Sequence, residues 1–512
     1  MRDPNIVIIM TDQHQAAACA REGFGLDTTP FLDHLAHQGV WFNRAYTTAP
    51  MCMPARISML TGRFPSAHRV RVNHHKQYAL YERDLIDVCC ERGYATALMG
   101  KNHSHLCPDR LDHWFELSHE GGSGPARTPG EKAMDAWLTE LRHGVALTPS
   151  PFPAECQCPY RAVSDAQEWI RSLKGSRFFL WLSFPEPHSP YQVSEPYFSM
   201  FPPDDLPPVL AGGDTLEKKS FKWQWTKRLG AHVYPDYQDL LPRVRASYYG
   251  MLRLIDDQVR RFVAFLQAEG LWENTLLLFA ADHGDFVGEY GMMRKGPEMP
   301  EVLVRIPLFV VGPGVRSLDI PHPAHVSLVD VFPTLCEAIG VPLPAGVQGR
   351  SQWPLLTGRS YPQEEFADVY VEQGFGGLHH TKEDCGDWDN GPAPGLKPGP
   401  TFDCLNSCTQ SGTLRMLRSG DWKLTFDMQG HGELYDLARD PSELENLYDQ
   451  SGYEDVRHRM VTGLLMRVLQ AQDPLPLPTK YEMKMDPRNY WAPYRREAQN
   501  AHRISPKPGK AF

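Results

Sequence analysis

The sequence predicts an α/β fold, in which a large, mostly parallel mixed sheet is sandwiched by helices and followed by a smaller C-terminal α+β domain with a short antiparallel sheet. Two observations predict this fold. Unbroken Val, Ile, Leu and Phe runs alternate with helix-length segments up to residue 339, as in parallel sheets that are buried on both faces. Beyond residue 365, short stretches separated by Gly turns are typical of antiparallel strands followed by a helix.

The elements of the first part follow one another as strand and helix. The first strand covers residues 5–10 and ends in Thr-Asp-Gln. A helix then begins with Thr28 or Thr29 as N-cap and Pro30 in its first turn, and it stops at Gly39. The later elements are predicted strands at 40–46, 95–99, 178–184, 275–281 and 306–311, and predicted helices at 164–173, 246–269 and 328–339.

We predict three parts: an α/β domain over residues 1–365, an α+β subdomain over 366–475 and an extended tail over 476–512. A chain of 512 residues is too long for one small domain. The tail has no sustained periodicity, but its aromatic residues argue against pure disorder. We expect the tail to pack on its own or a neighbouring subunit, and on that basis alone we predict a homo-oligomer. The aromatic residues are Tyr481, Tyr490, Trp491 and Tyr494.

The composition limits the partners. With 42% hydrophobic and 22% charged residues, the chain has the composition of a soluble globular protein, and its net charge of −10 does not indicate a nucleic-acid partner. The first apolar run has five residues, which is too short for a secretory leader. No run approaches the ~18 residues of a membrane span. We therefore predict a cytoplasmic protein with no nucleic-acid and no membrane partner.

The eleven cysteines are scattered along the chain. Structural zinc at Cys156 and Cys158 remains an alternative, but Cys-x-Cys is not the usual spacing and no second pair lies nearby. Buried free thiols are the favoured interpretation. The close pairs are Cys89–Cys90, Cys156–Cys158 and Cys404–Cys408.

Polar residues follow four of the predicted strands. In parallel sheets, ligands bind outside the carboxyl ends of the strands, so we expect these residues to share one site. They are Asp12 and Gln13, Lys101 and His103, His188, and Asp282 and His283.

The residue types at these strand ends indicate a metal and an anionic substrate. Asp12, Asp282 and His283 are ligands suited to a divalent cation. Gln13 either supplies an amide oxygen to the metal or supports the ligands, and Asp285 either joins the site or caps the next helix. Cationic and proton-donating side chains add a pocket for a tetrahedral sulfate, phosphate or phosphonate ester. These side chains are Lys101, His103, His188 and Lys295, with Arg294 as a rival to Lys295.

One short motif is more specific. Cys52, Pro54 and Arg56 form Cys-x-Pro-x-Arg, and Thr61-Gly62 follows five residues later. The composition gives roughly 0.1 chance matches to the first part of this motif. The motif resembles the signature of the type I sulfatases of the alkaline phosphatase superfamily. Three more segments resemble that family: TTPFLDHLAHQGVWFNRAYT, GKNH and GELYDLARDPSELENL.

The resemblance implies that a separate formylglycine-generating enzyme oxidises Cys52 to Cα-formylglycine. One hydroxyl of the hydrated aldehyde, activated by the metal, then attacks sulfur and expels the alcohol, and the aldehyde re-forms as sulfate leaves. Carried over to this sequence, the metal ligands are Asp12, Gln13, Asp282, His283 and residue 52. By the same resemblance, Arg56 and Lys101 hold the diol, and Lys295 contacts the sulfate. His188 protonates the leaving oxygen, and His103 assists the elimination of sulfate.

Two departures from the family pattern concern the metal. Gln13 stands where many members have Asp, and His283 stands where Asn is common. Together they remove one negative charge from the metal shell. Ca²⁺ is the first expectation, and Mn²⁺ or Zn²⁺ are alternatives because imidazole suits them better.

We therefore predict a hydrolase that releases sulfate from a small-molecule or saccharide sulfate ester. A phosphonate monoester hydrolase or phosphodiesterase with the same formylglycine is the alternative, although Lys101 and His103 favour the sulfatase. A non-enzymatic metal-binding scaffold is a third interpretation, and it requires the strand-end clusters to be coincidental. The alcohol part of the substrate is not readable; candidate substrate-binding residues are Asn73, His74 and His75.

Overall fold

The computed structural model describes residues 3–122, 127–233, 236–296, 298–374 and 412–472. Within these residues the main sheet has eight strands in the order β2-β9-β8-β1-β7-β4-β5-β6. The strands are β1 (Asn5–Asp12), β2 (Val40–Phe42), β3 (Ala45–Tyr46), β4 (Ala95–Gly100), β5 (His113–Ser118), β6 (Gly121–Gly122), β7 (Phe178–Pro187), β8 (Thr275–Ala281), β9 (Leu308–Val311), β10 (Val326–Ser327), β11 (Asp368–Gln373), β12 (Leu414–Ser419), β13 (Trp422–Asp427) and β14 (Gly432–Asp436).

The central strands β8, β1, β7, β4 and β5 are parallel, and the strands outside them are antiparallel to their neighbours. The helices are α1 (Pro30–His37), α2 (Cys52–Thr61), α3 (Pro65–His68), α4 (Leu85–Glu91), α5 (Pro129–Leu141), α6 (Cys158–Ser172), α7 (Tyr197–Met200), α8 (Phe221–Val233), α9 (Tyr237–Ala268), α10 (Glu301–Val304), α11 (Val331–Ala338), α12 (Trp353–Thr357) and α13 (Glu454–Gln472).

Both faces of the main sheet are buried. Along β1, Val7 and Ile9 pack in one apolar core with side chains of α1, α6 and α9. Ile6 and Ile8 point to the opposite face and pack with side chains of α2, α4 and α11. Because successive residues of a strand point to opposite faces, this two-sided burial explains why β1 reads as an unbroken apolar run. The predicted α/β fold is confirmed.

Several predicted boundaries were wrong. The helix predicted at 164–173 already begins at Cys158. Residues 40–46 form two strands, since β2 joins the main sheet beside β9 whereas β3 pairs with β10 in a separate two-stranded sheet. The helix predicted from residue 246 already begins at Tyr237, and it contains Pro242. Proline inside a helix costs about 3 kcal/mol. Leu241 and Val244 are buried in the core on either side of Pro242, and that burial offsets the cost.

The C-terminal part contains the predicted antiparallel sheet, in the order β11-β12-β13-β14. Helix α13 packs on this sheet through Met460 and Leu464, which share an apolar cluster with Leu417, Leu424 and Leu434.

The sheet starts at Asp368, near the predicted subdomain boundary, but the three predicted part boundaries themselves stay predictions. The tail 476–512, on which the oligomer prediction rests, lies outside the described residues, as do Cys404 and Cys408. None of the described helices is both long and apolar enough to cross a membrane.

Candidate active site

Four neighbouring parallel strands bring the predicted polar residues to one edge of the sheet. The strands β8, β1, β7 and β4 lie side by side in that order. Their carboxyl ends therefore meet, and the residues at those ends fall within reach of one another. Asp12 ends β1, and Lys101, His188 and Asp282 each directly follow one of the other strands.

Cys52 is the first residue of α2, and its side chain is 1% exposed. Its Sγ lies 3.2 Å from His283 Nε2, 3.3 Å from Lys295 Nζ and 3.6 Å from Asp12 Oδ1. The helix ends at Gly62, whose φ of 66° is left-handed and favours glycine. The motif thus places residue 52 at a helix N-terminus, where exposed N–H groups and the helix dipole favour a developing anion.

The groups around Cys52 fit a divalent cation. Ligand atoms of Asp12, Cys52, Asp282 and His283 all lie within 4.8 Å of one another, and all four residues are buried. His283 Nδ1 lies 2.8 Å from the Gly284 carbonyl oxygen, which only accepts hydrogen bonds. The proton therefore sits on Nδ1, and the Nε2 lone pair faces the cluster, as in metal-binding histidines.

Arg56 ties the two carboxylates together. Its guanidinium is fully buried and donates to Asp282 Oδ2 at 2.8 Å and to Asp12 Oδ2 at 3.3 Å. It also donates to Ser183 Oγ at 2.8 Å and to the Lys101 carbonyl oxygen at 2.9 Å. Because every contact lies at a strand end or on β7, Arg56 fixes the spacing of the cluster.

Lys101 reaches the cluster from β4. Its Nζ donates to Asp12 Oδ2 and lies 2.7 Å from His119 Nε2. Burial alone raises the pKa of Asp12, but Lys101, His188 and Arg56 together hold that pKa well below its usual value. Gly100 lets the end of β4 lie close to β7, because a Cβ on residue 100 would lie 1.8 Å from the Ser183 carbonyl oxygen. Asp12 is therefore ionised and available as a ligand.

Lys295, rather than its rival Arg294, contacts residue 52. The Arg294 guanidinium instead donates through Nε to Ser189 Oγ at 3.0 Å. Burial and Asp12 raise the pKa of the Cys52 thiol, but the ammonium groups of Lys101 and Lys295 hold it well below its usual value. Two cations thus lie close enough to favour an anion at residue 52.

Gln13 has a left-handed backbone, with φ of 66°, and its N–H donates to Asp282 Oδ1 at 3.1 Å. With its amide nitrogen toward Asp285 Oδ2 at 2.7 Å, its amide oxygen accepts from Lys295 Nζ at 2.9 Å and lies 3.3 Å from His188 Nε2. The side chain thus bridges Asp285 to Lys295. Its role as a metal ligand stays a prediction.

Asp285 does not cap a helix. Its carboxylate accepts from Val287 N at 2.9 Å, Arg294 N at 2.7 Å and Tyr191 Oη at 2.8 Å. It therefore organises the loop that carries Lys295. The interpretation as a helix cap was wrong because this loop turns back at Val287 and Arg294, whose φ values are 47° and 67°.

The two predicted site histidines lie just beyond the carboxyl ends of β7 and β4. His188 follows the end of β7, and its Nδ1 lies 2.6 Å from the Ser189 carbonyl oxygen. Burial has the largest effect on the pKa of His188, and the neighbouring His119 has the second largest. Together they lower that pKa well below its usual value. Burial and Lys101 also lower the pKa of His103, which lies near Cys52. Both imidazoles are therefore neutral.

Comparison with known proteins shows the family of this chain. The model of the Sulfatase family matches residues 4–341, more than half of the chain. The chain belongs to the Sulfatase family. Within the family, the arylsulfatase of Clostridium perfringens (strain 13 / Type A) is 28% identical over 499 residues, covering 92% of this chain and 95% of the relative. The multifunctional alkaline phosphatase superfamily protein PehA of Trinickia caryophylli is 28% identical over 446 residues, covering 75% and 85%.

Among solved structures, the phosphonate monoester hydrolase of Silicibacter pomeroyi matches with a TM-score of 0.76 at 20% identity, covering 95% of this chain and 99% of that one. At that identity the likeness shows the fold alone. The predicted family, the alkaline-phosphatase-like fold and the class of sulfuric ester hydrolase are confirmed.

The sequence reasoning missed His119 and Ser183 in this sulfatase site. Ser183 lies within β7 and contacts Arg56, so only the register of the sheet reveals it. His119 directly follows β5, the next parallel strand beyond β4. The same strand-end rule would have found His119 if β5 had been recognised as a strand.

The candidate substrate-binding residues are placed differently from one another. Asn73 Oδ1 accepts from Met53 N at 3.0 Å, at the first turn of α2. His74 and His75 are exposed, and their rings contact each other. A substrate contact by any of the three stays a prediction.

Replacing Asn73 with alanine is expected to reduce kcat about 10-fold and to destabilise the fold by about 1 kcal/mol, because the helix start that holds residue 52 loses a cap. KM is expected to stay within about twofold, because the Asn73 hydrogen bond positions residue 52 and does not contact the substrate. Steady-state kinetics and thermal unfolding measure both effects. Gln77→Ala, on the same exposed loop, is the control. A large rise in KM with kcat unchanged would instead identify Asn73 as a substrate-binding residue.

Cys156 and Cys158 are free thiols, and burial raises the pKa of each. Among the residues that the structure describes, neither belongs to a cluster of potential metal ligands. The interpretation as buried thiols is therefore favoured over structural zinc.

Proposed function

We propose that this sulfatase hydrolyses a sulfate ester by cleaving the S–O bond, with formylglycine made from Cys52 as the nucleophile, and that it releases inorganic sulfate and an alcohol. The observation that carries the proposal is the position of residue 52. It lies at a helix N-terminus, buried, and in contact with Lys295, His283 and Asp12. A thiol with no catalytic use has no need of such an electropositive setting.

We further propose that Asp12, Asp282, His283 and residue 52 hold one divalent metal ion. Such an ion, when bound, supplies charge stabilisation and lowers the pKa of a hydroxyl at residue 52. The two carboxylates favour Ca²⁺, whereas the imidazole favours Mn²⁺ or Zn²⁺. The Gln13 amide oxygen faces Lys295 and His188, which favours a supporting role for Gln13 over direct ligation.

The remaining residues divide the chemistry between them. Arg56 and Lys101 orient residue 52 and the carboxylates, and Lys295 binds the sulfate oxygens. His188 protonates the leaving alcohol oxygen, and His103 accepts the proton of the second hydroxyl when sulfate is eliminated. His188 is neutral, and an anionic ester placed between it and Lys295 must raise its pKa. Substrate binding therefore prepares the acid.

The proposal includes a maturation partner. Because formylglycine forms by oxidation of a cysteine, a formylglycine-generating enzyme must act on residues 52–56 while they are accessible. In the folded chain Cys52, Pro54 and Arg56 are buried, which favours oxidation before folding is complete.

The second candidate is a phosphonate monoester hydrolase or phosphodiesterase with the same nucleophile. The similarity to PehA, which is named as a multifunctional protein of the alkaline phosphatase superfamily, favours it. Lys101 and His103 favour the sulfatase, because this Lys-x-His pair resembles the sulfatases and is replaced in the phosphonate monoester hydrolases.

A substrate comparison separates the two candidates. We expect kcat/KM for 4-nitrophenyl sulfate to exceed that for bis(4-nitrophenyl) phosphate and 4-nitrophenyl phenylphosphonate by at least about 10-fold, a difference of about 1.4 kcal/mol in transition-state binding. The shared leaving group makes the three substrates comparable. Higher kcat/KM on either phosphoryl substrate would contradict the sulfatase proposal.

A further inference from the structure

His119 has no role in the proposed chemistry, but it contacts two residues that do, Lys101 and His188. His119 Nε2 lies 2.7 Å from Lys101 Nζ. An ammonium only donates, so Nε2 accepts this bond and the proton of His119 sits on Nδ1. The same ring stacks on His188, with centroids 3.7 Å apart and planes inclined by 17°. His119 therefore touches both the lysine that orients residue 52 and the proposed acid.

Lys101 needs this second anchor. A lysine ammonium is a point charge on a flexible stem, and one partner leaves its position free to swing. Asp12 Oδ2 holds Lys101 Nζ on one side, and His119 Nε2 holds it on the other. Two acceptors at different positions fix where the charge lies.

His188 needs a constraint of another kind. The hydrogen bond from Nδ1 to the Ser189 carbonyl oxygen holds one edge of the imidazole, but it tolerates a tilt of the ring plane. His119 covers one face of the ring, and His143 approaches edge-on with a centroid distance of 5.6 Å. The stacked face fixes the plane of the ring and hence the direction of Nε2.

We propose that His119 is a positioning residue of this site, which fixes Lys101 Nζ through its Nε2 and the plane of His188 through its ring. The inference rests on the roles proposed above for Lys101 and His188. The two tasks use different parts of one side chain, so two substitutions separate them.

His119→Phe keeps a ring against His188 and removes the acceptor for Lys101. We expect kcat to fall roughly 10- to 100-fold, by the same factor for 4-nitrophenyl sulfate and for phenyl sulfate. His119→Gln keeps an oxygen within reach of Lys101 and removes the ring. We expect it to spare 4-nitrophenyl sulfate and to lose about 10-fold more kcat on phenyl sulfate, whose poorer leaving group depends more on the acid.

The matched control is His113→Gln, the same substitution in β5 at a residue that pairs with Asp165 at 2.6 Å. We expect its ratio of the two kcat values to equal that of the unmodified protein. The inference is overturned if both His119 variants stay within about twofold of that protein, or if both lose one common factor on both substrates.

Crystal structures of the two variants test the inference without turnover. A shift of Lys101 Nζ by about 1 Å or more in His119→Phe, and a rotated His188 ring in His119→Gln, support it. Both groups unmoved would overturn it. This readout holds even if the unmodified protein hydrolyses no sulfate ester, a result that would count against the proposed function instead.

Discussion

Replacing Cys52 with alanine is expected to lower kcat/KM for an aryl sulfate by roughly 10⁴- to 10⁶-fold, the loss seen when a covalent nucleophile is removed from an otherwise intact site. Alanine cannot be converted to an aldehyde, so the reaction loses its nucleophile while Arg56, Lys101 and Lys295 remain. Initial rates at several substrate concentrations, measured on protein freed of contaminating sulfatases, give the value.

The control for this variant is Cys336→Ala. Cys336 is also a buried free thiol, but it packs in the apolar core on the α11 side of the sheet. We expect it to lower the thermal midpoint and to leave kcat/KM within about twofold. If Cys52→Ala keeps more than about one hundredth of the activity, residue 52 is not the nucleophile.

Asp282→Asn is expected to reduce the bound metal from one ion per chain to a small fraction and to lower kcat/KM by at least about 10³-fold. Asparagine keeps the shape of the side chain, but it removes one of the two negative charges that the cluster offers a cation. It also weakens the ionic partner of Arg56 Nε, which lies 2.8 Å from Asp282 Oδ2. Metal analysis by mass spectrometry after exhaustive dialysis gives the stoichiometry.

Asp330→Asn separates the metal effect from the loss of a buried ion pair. Asp330 is fully buried and accepts from Arg350 Nη2 at 3.2 Å, outside the metal cluster. Both variants weaken a buried Asp–Arg pair, so we expect both to be destabilised by about 3 kcal/mol. Only Asp282→Asn is expected to lose metal and activity. Full metal content with nearly full activity in Asp282→Asn would exclude Asp282 as a ligand.

The sequence reasoning worked best where a buried parallel strand ends. Asp12, Lys101, His188 and Asp282 follow apolar runs that are buried on both faces, and the topology places those four ends together. Burial on both faces makes such strands easy to recognise, because no alternation with polar residues obscures them.

The same reasoning failed where strands are partly exposed. Five of the six residues of β5, HWFELS, are not fully buried, so it has no unbroken apolar run, and His119 was missed with it. Loop geometry was equally hidden. The positions of Gln13 and Arg294 depend on left-handed backbone at both residues, and neither hydrophobic periodicity nor spacing predicts it.

The choice of Lys295 over Arg294 rested on the family resemblance alone, for a related reason. Adjacent residues of an irregular loop point in different directions, and only the anchoring of this loop by Asp285 turns Lys295 toward residue 52. By contrast, the Cys-Pro-Arg motif lies in the first turns of α2, where helical geometry fixes the side-chain directions.

The dependence of activity on the state of residue 52 tests the central claim most directly. Preparations co-expressed with graded amounts of the formylglycine-generating enzyme can be analysed by peptide mass spectrometry for the fraction of residue 52 present as the aldehyde. We predict that kcat for sulfate ester hydrolysis rises in proportion to that fraction and extrapolates to zero at zero conversion. Full activity in a preparation whose residue 52 is entirely unmodified cysteine would contradict the account.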